Sequence, residues 1–135
     1  MLKDLLYKVN LKAVFGSTDV EIKTLHLDSR EVKPESCFIA VKGFVVDGHN
    51  FIDVAIKNGA KAIVAEQLPA NMIDGITYIE VVNSAAAAGF MAHNFYGEPS
   101  AGLKIIGVTG TNGKTTVATI LFNLFTKLGF IFIML

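Results

Sequence analysis

The segment Gly107-Val108-Thr109-Gly110-Thr111-Asn112-Gly113-Lys114-Thr115-Thr116 holds the residue types that grip a phosphate. Glycines let backbone N–H groups turn inward around an anion, and a helix starting at the lysine adds the partial positive charge of its N-terminus. Lys114 would reach the β- and γ-phosphates of a nucleoside triphosphate, and the Thr115 hydroxyl would coordinate Mg²⁺. The strict phosphate-loop pattern asks for glycine at position 108, where this chain has Val108. The loop is therefore a variant. A plain glycine turn with a solvated lysine is the competing reading. A Rossmann dinucleotide fingerprint fits less well, because there is no G-x-G-x-x-G.

A loop of this kind needs a buried strand before it and a helix behind it. Leu103 to Val108 is apolar and predicts the strand. Residues 114–128 predict the helix, with Val117, Ile120, Leu121, Leu124 and Leu128 on one stripe and Gly129 as the stop. Upstream, Gly97-Glu98-Pro99-Ser100-Ala101-Gly102 is rich in breakers and reads as a linker. The chain thus divides into residues 1–98 and 99–135. In the first part, residues 2–9 suit a short helix, 20–27 a partly alternating strand, and Cys37 to Val41 a second strand ended by Gly43. Asn50 and Asp53 suggest a capping box for a helix that Gly59 stops. Ala62-Ile63-Val64-Ala65 is a continuous apolar strand of the parallel-sheet type. Ile76 to Val82 predicts another strand, and Ser84 is placed as the cap of a helix running to about Tyr96. Strand, helix and strand in this spacing make a βαβ unit, and the expected fold class is α/β.

Composition narrows the partners. Twelve basic residues balance twelve acidic ones, which argues against binding driven by charge to nucleic acid or anionic lipid. Phe122, Phe125, Phe130 and Phe132 have no interleaved basic residues beyond Lys127 and do not form a base-stacking platform. No segment reaches the roughly 20 apolar residues of a membrane helix, and Met1-Leu2-Lys3-Asp4-Leu5-Leu6 does not read as a secretory leader. The single cysteine, Cys37, sits in an apolar strand and suits a structural thiol in a reducing cytoplasm. His26, His49 and His93 lack metal-ligand spacing. His49 is the least ordinary of the three, since it follows a glycine in a loop.

The variant loop, Gly110 to Thr116, resembles the phosphate loop of the Mur ligases and of the folylpolyglutamate synthetases. These enzymes use ATP to turn a carboxylate into an acyl phosphate, which an amine then attacks. Leu27-Asp28-Ser29-Arg30-Glu31-Val32-Lys33-Pro34, Phe38-Ile39-Ala40-Val41-Lys42-Gly43 and Asp47-Gly48-His49-Asn50-Phe51-Ile52 are similar to the UDP-binding domain that opens two Mur ligases. One adds the third peptide residue, the other the terminal dipeptide. Folylpolyglutamate synthetases lack that domain. Thr111, the run Val117-Ala118-Thr119-Ile120-Leu121 and Phe95-Tyr96-Gly97-Glu98-Pro99-Ser100 look like the third-residue enzyme. The dipeptide-adding enzyme typically has serine at the first position and Lys-Glu soon after the paired threonines.

The resemblance covers residues 1 to about 129. It implies an α/β UDP-binding domain followed by the first strand, loop and helix of an ATP-binding domain. It further implies ATP and Mg²⁺, UDP-N-acetylmuramoyl-L-alanyl-D-glutamate as substrate, and diaminopimelate rather than lysine as the residue added, in a cytoplasmic monomer. Gly110, Thr111, Asn112, Gly113, Lys114, Thr115 and Thr116 match the ATP site, Lys114 the catalytic position and Thr115 the Mg²⁺ position. Leu27, Ser29, Phe44, Val45 and Val46 match positions that hold the uridine diphosphate. At 44–46 relatives usually carry polar residues, so only backbone contacts would survive there. Taken without the family, Asp28-Ser29-Arg30 reads as a turn with a surface ion pair.

The tail Phe130 to Leu135 departs from the family pattern, and residues 1–135 by themselves are expected to be inactive. Three alternatives stay open. They are a UDP-sugar-binding module without catalysis, the dipeptide-adding ligase, and another P-loop NTPase with a coincidental match in its first domain.

Overall fold

Ala60-Lys61-Ala62-Ile63-Val64-Ala65 offers one polar side chain in six, so the segment must be covered on both faces. In the computed structural model, which describes residues 1–43, 46–131 and 133, it is the central strand of a five-stranded sheet. The elements are α1 (Leu2–Leu5), β1 (Leu11–Phe15), β2 (Thr24–His26), β3 (Ser36–Ile39), α2 (Ile52–Lys57), β4 (Ala60–Ala65), β5 (Thr77–Val81), α3 (Ser84–Phe95) and α4 (Lys114–Lys127). The sheet order is β1-β5-β4-β3-β2. β2, β3, β4 and β5 run parallel, and β1 pairs antiparallel with β5 at one edge.

Alternation along the strands sorts side chains into two layers. Cys37, Ile39, Ala62, Val64, Ile79 and Val81 pack against Leu2 and Leu5 of α1 and Ala87 and Met91 of α3. Phe38, Ile63, Ala65 and Tyr78 pack on the other face against Ile52 and Ala55 of α2. The register steps from Ser36↔Ala60 to Cys37↔Ala62, so Lys61 is an extra residue. That bulge puts Ala60 in the layer of Ile63, although Ala62 lies in the other. The Cys37 thiol is fully buried, and desolvation pushes its pKa up to about 12, which rules it out as a nucleophile near neutral pH.

The chain divides into two compact units, Met1–Gly102 and Leu103–Leu135. The first contains the whole sheet. The second contains α4, whose N-terminal part follows the glycine-rich loop.

Several boundaries differ from the sequence expectation. β1 carries no clear inside–outside alternation, because it is an edge strand exposed along most of its length. Of 20–27, only Thr24–His26 pairs as a strand; Thr18 and Val20 instead accept the Lys3 and Leu2 amides at 3.1 and 2.8 Å. α1 stops at Leu5, and Lys8 turns the chain into the left-handed region at φ 61°. Asn50 is not the helix cap. Asp47 is, its carboxylate accepting from the His49 amide, and the chain enters α2 through a 3-10 turn at Gly48–Phe51. Asn83, not Ser84, caps α3, accepting from the Ala86 amide at 2.8 Å. The strand expected at Leu103 to Val108 forms no ladder. A strand needs a partner for its backbone, and the second unit offers only a loop and a helix among the described residues.

Candidate functional site

The glycine-rich loop of the second unit ends in a helix that has no side-chain cap. Gly113 occupies the N-cap position of α4 at φ 77°, ψ 0°, a left-handed conformation that glycine adopts at low cost. A left-handed residue followed by a right-handed helix aims successive amides into one concavity, an anion-binding nest. Without a side chain on Gly113, the first-turn amides of α4 are left to an external acceptor. The Lys114 ammonium folds back over this concavity and donates to the Gly110 carbonyl at 2.5 Å and the Thr111 carbonyl at 3.4 Å. Both acceptors are neutral, so a phosphate would compete for the lysine with a full charge. Thr115 lies in the first turn with its side chain exposed. Its hydroxyl alone cannot hold a metal, and among the described residues no group of three His, Cys, Asp or Glu could do so. A cation here would need phosphate oxygens as its other ligands.

A second candidate lies in the first unit. β2, β3, β4 and β5 are parallel, so the segments after them gather along one carboxyl edge, the usual ligand side of an open α/β sheet. Leu27 and Ser29 follow β2, and Val46 lies in the connection after β3. Phe44 and Val45 lie outside the described residues. Leu27 and Val46 are exposed, whereas Ser29 is buried and its carbonyl accepts Asn58 Nδ2 at 2.9 Å. The Asp28–Arg30 ion pair read from the sequence is present, with Arg30 N and Nε donating to Asp28 Oδ1 at 2.9 and 3.0 Å. These hydrogen bonds hold the Asp28 pKa down to about 2, so the pair survives until the pH falls that far. The exposed Arg30 side chain leaves the pair a small stabilising role.

Glu66, not picked out from the sequence, completes the edge together with Ser84 and Gly48. Glu66 follows β4 and accepts from Ser84 N and Ser84 Oγ, both at 2.9 Å. Those hydrogen bonds, the backbone one foremost, lower the Glu66 pKa. The Glu66 carboxylate therefore fills the N-terminus of α3 from within the protein. Gly48 N donates to Val41 O at 3.0 Å, and a Cβ on Gly48 would come within 2.7 Å of that oxygen. Only glycine fits there. The available signal was positional: each of these residues directly follows a strand or sits in the loop after one.

The geometry can be set beside known proteins. Residues 21–106 match the model of the Mur ligase family, catalytic domain. A curated protein of Cytophaga hutchinsonii, UDP-N-acetylmuramoyl-L-alanyl-D-glutamate--2,6-diaminopimelate ligase, is 52% identical over 130 residues, which is 96% of this chain and 27% of that protein. The protein of the same name from Bacteroides fragilis is 45% identical over 129 residues, again 96% of this chain and 27% of that protein. Among solved structures, the MurF ligase of Thermotoga maritima in complex with ADP aligns with a TM-score of 0.53 and 39% identity, over 81% of this chain and 24% of that one. A MurF structure from Acinetobacter baumannii aligns with a TM-score of 0.62 and 26% identity, over 95% of this chain and 28% of that one. The chain thus spans about a quarter of the length of the proteins it matches.

Proposed function

The chain belongs to the Mur ligase family, and from that premise we propose that it is the opening part of the ligase that joins 2,6-diaminopimelate to UDP-N-acetylmuramoyl-L-alanyl-D-glutamate. The observation that carries this reading is the 52% identity to a ligase so named, running through both the carboxyl edge and the phosphate loop. The dipeptide-adding ligase is the second reading. It rests on the MurF structures, but their identity to this chain is lower, at 39% and 26%.

In the proposed reaction a glutamyl carboxylate oxygen attacks the γ-phosphorus of ATP, ADP leaves, and an acyl phosphate forms. The amine of diaminopimelate attacks the acyl carbon, inorganic phosphate departs with the electron pair of the broken C–O bond, and the nitrogen loses a proton. The first unit holds the uridine diphosphate end of the substrate at its carboxyl edge through Leu27, Ser29 and the backbone at 44–46. In the second unit the amides of residues 110–116 surround the ATP phosphates. Lys114 neutralises charge on the γ-phosphoryl group as it transfers, and the Thr115 hydroxyl offers one ligand to Mg²⁺. Mg²⁺, when bound, screens the phosphate oxygens. Residues 1–98 are read as the substrate domain and 99–135 as the linker and start of the ATP domain. A monomer in the cytoplasm fits these roles, and no helix among the described residues is long and apolar enough to cross a membrane.

A chimera tests the reading. Residues 1–129 would replace the matching part of the Cytophaga hutchinsonii ligase. The chimera should release phosphate with ATP, diaminopimelate and the UDP-muramoyl dipeptide, and should refuse the UDP-muramoyl tripeptide with D-alanyl-D-alanine. A folded chimera without activity on the dipeptide would favour a binding module without catalysis.

A further inference from the structure

His49 has fully determined hydrogen bonding and no part in the scheme above. Its Nε2 receives the Glu66 amide at 3.0 Å and lies 3.4 Å from the Gln67 amide. A backbone amide can only donate, so Nε2 carries no hydrogen. Nδ1, 2.6 Å from Asp47 Oδ1, therefore carries it and donates to the carboxylate. The partners fix a neutral ring with its hydrogen on Nδ1.

This imidazole closes a ring of contacts over the ends of three strands. Lys42 and Asp47 form a bridge, and Gly43 N donates to Val46 O at 3.1 Å. Asp47 binds His49, His49 binds the Glu66 backbone, and the Glu66 carboxylate binds Ser84. Ser84 Oγ in turn accepts the Lys42 amide at 3.3 Å. His49 is the member of this ring that ties the connection after β3 to the end of β4.

We propose that His49 is a positioning residue: its imidazole, accepting from the Glu66 amide and donating to Asp47, clamps the connection holding Val46 onto the end of β4. The consequence for ligand rests on reading that edge as the uridine diphosphate site. The charged groups around the ring are Asp47 on its own turn, Glu66 from the end of β4 and Lys42 from the end of β3; α3 contributes the uncharged Ser84.

The test uses ¹⁵N-labelled protein of residues 1–135. A scalar coupling across the hydrogen bond between Glu66 N and His49 Nε2 should be present. His49→Gln keeps an acceptor for the Glu66 amide and should bind UDP within about threefold of the parent. His49→Phe removes that acceptor and should bind UDP about tenfold more weakly, the size of one lost hydrogen bond. No coupling, or a folded Phe variant that binds like the parent, overturns the proposal. A coupling present in a protein that binds no UDP supports the clamp and overturns the uridine reading instead.

Discussion

Lys114→Ala, made in the chimeric ligase, should lower amide formation about a thousandfold at saturating substrate, with the melting temperature unchanged. The size follows from where charge moves. As the γ-phosphoryl group transfers, negative charge shifts between its equatorial oxygens and the leaving group, and an ammonium placed beforehand stabilises it without reorganising. The amides of the nest remain in the variant, so ATP binding should weaken far less than turnover. The absence of a stability effect has its own cause. Among the described residues the ammonium donates to the Gly110 and Thr111 carbonyls of its own exposed loop, so no packing is lost. Steady-state phosphate release and calorimetric titration of ATP separate the two effects. A turnover within tenfold of the parent would remove Lys114 from the chemistry.

Purified residues 1–135 should form no amide product above background from ATP, diaminopimelate and the UDP-muramoyl dipeptide. Phosphoryl transfer needs the acceptor held in line with the γ-phosphate and a metal held by more than one hydroxyl. Residues 99–135 contain three lysines and no aspartate or glutamate, so the second unit has no carboxylate to offer a metal. The apolar stripe of α4 is also unsealed. Val117, Ile120, Leu124 and Leu128 are exposed, and no residue of α4 is buried. An open site admits water to the acyl phosphate and weakens every electrostatic contact made within it. Mass spectrometry of the reaction mixture reads the outcome directly. Product formation by this segment would mean that the first unit carries catalytic groups not assigned to it.

How far the sequence anticipated the molecule depended on how strongly each residue's environment is written locally. The continuous apolar runs at Cys37–Val41 and Ala62–Ala65 and the β-branched, aromatic stretch Ile76–Val82 read as strands from local composition, and the strands they form lie side by side in the sheet. β1 was invisible because an exposed edge strand needs no apolar face. Leu103–Val108 has the composition of a strand, but a ladder is a property of two segments, and composition describes one. Both helix caps in the first unit were misplaced. Asp, Asn and Ser compete for such positions, and the winner is set by neighbours such as Glu66, which takes the Ser84 hydroxyl for itself. The loop at 110–116 was legible because its chemistry is local. The ring around His49 was not, since Asp47, Glu66 and Ser84 come together only when three parallel strands end at one edge.

The central claim is that the first unit binds the uridine diphosphate end of a cell-wall precursor. Isothermal titration of UDP into folded residues 1–135 at about pH 8 tests it most directly. The account predicts saturable one-to-one binding with a Kd in about the millimolar range, as expected of a single domain grasping one end of a substrate. ADP titrated in parallel should not displace the bound UDP. Folded protein that gives no saturable heat with UDP up to about 10 mM, a concentration well above that Kd, would contradict the claim.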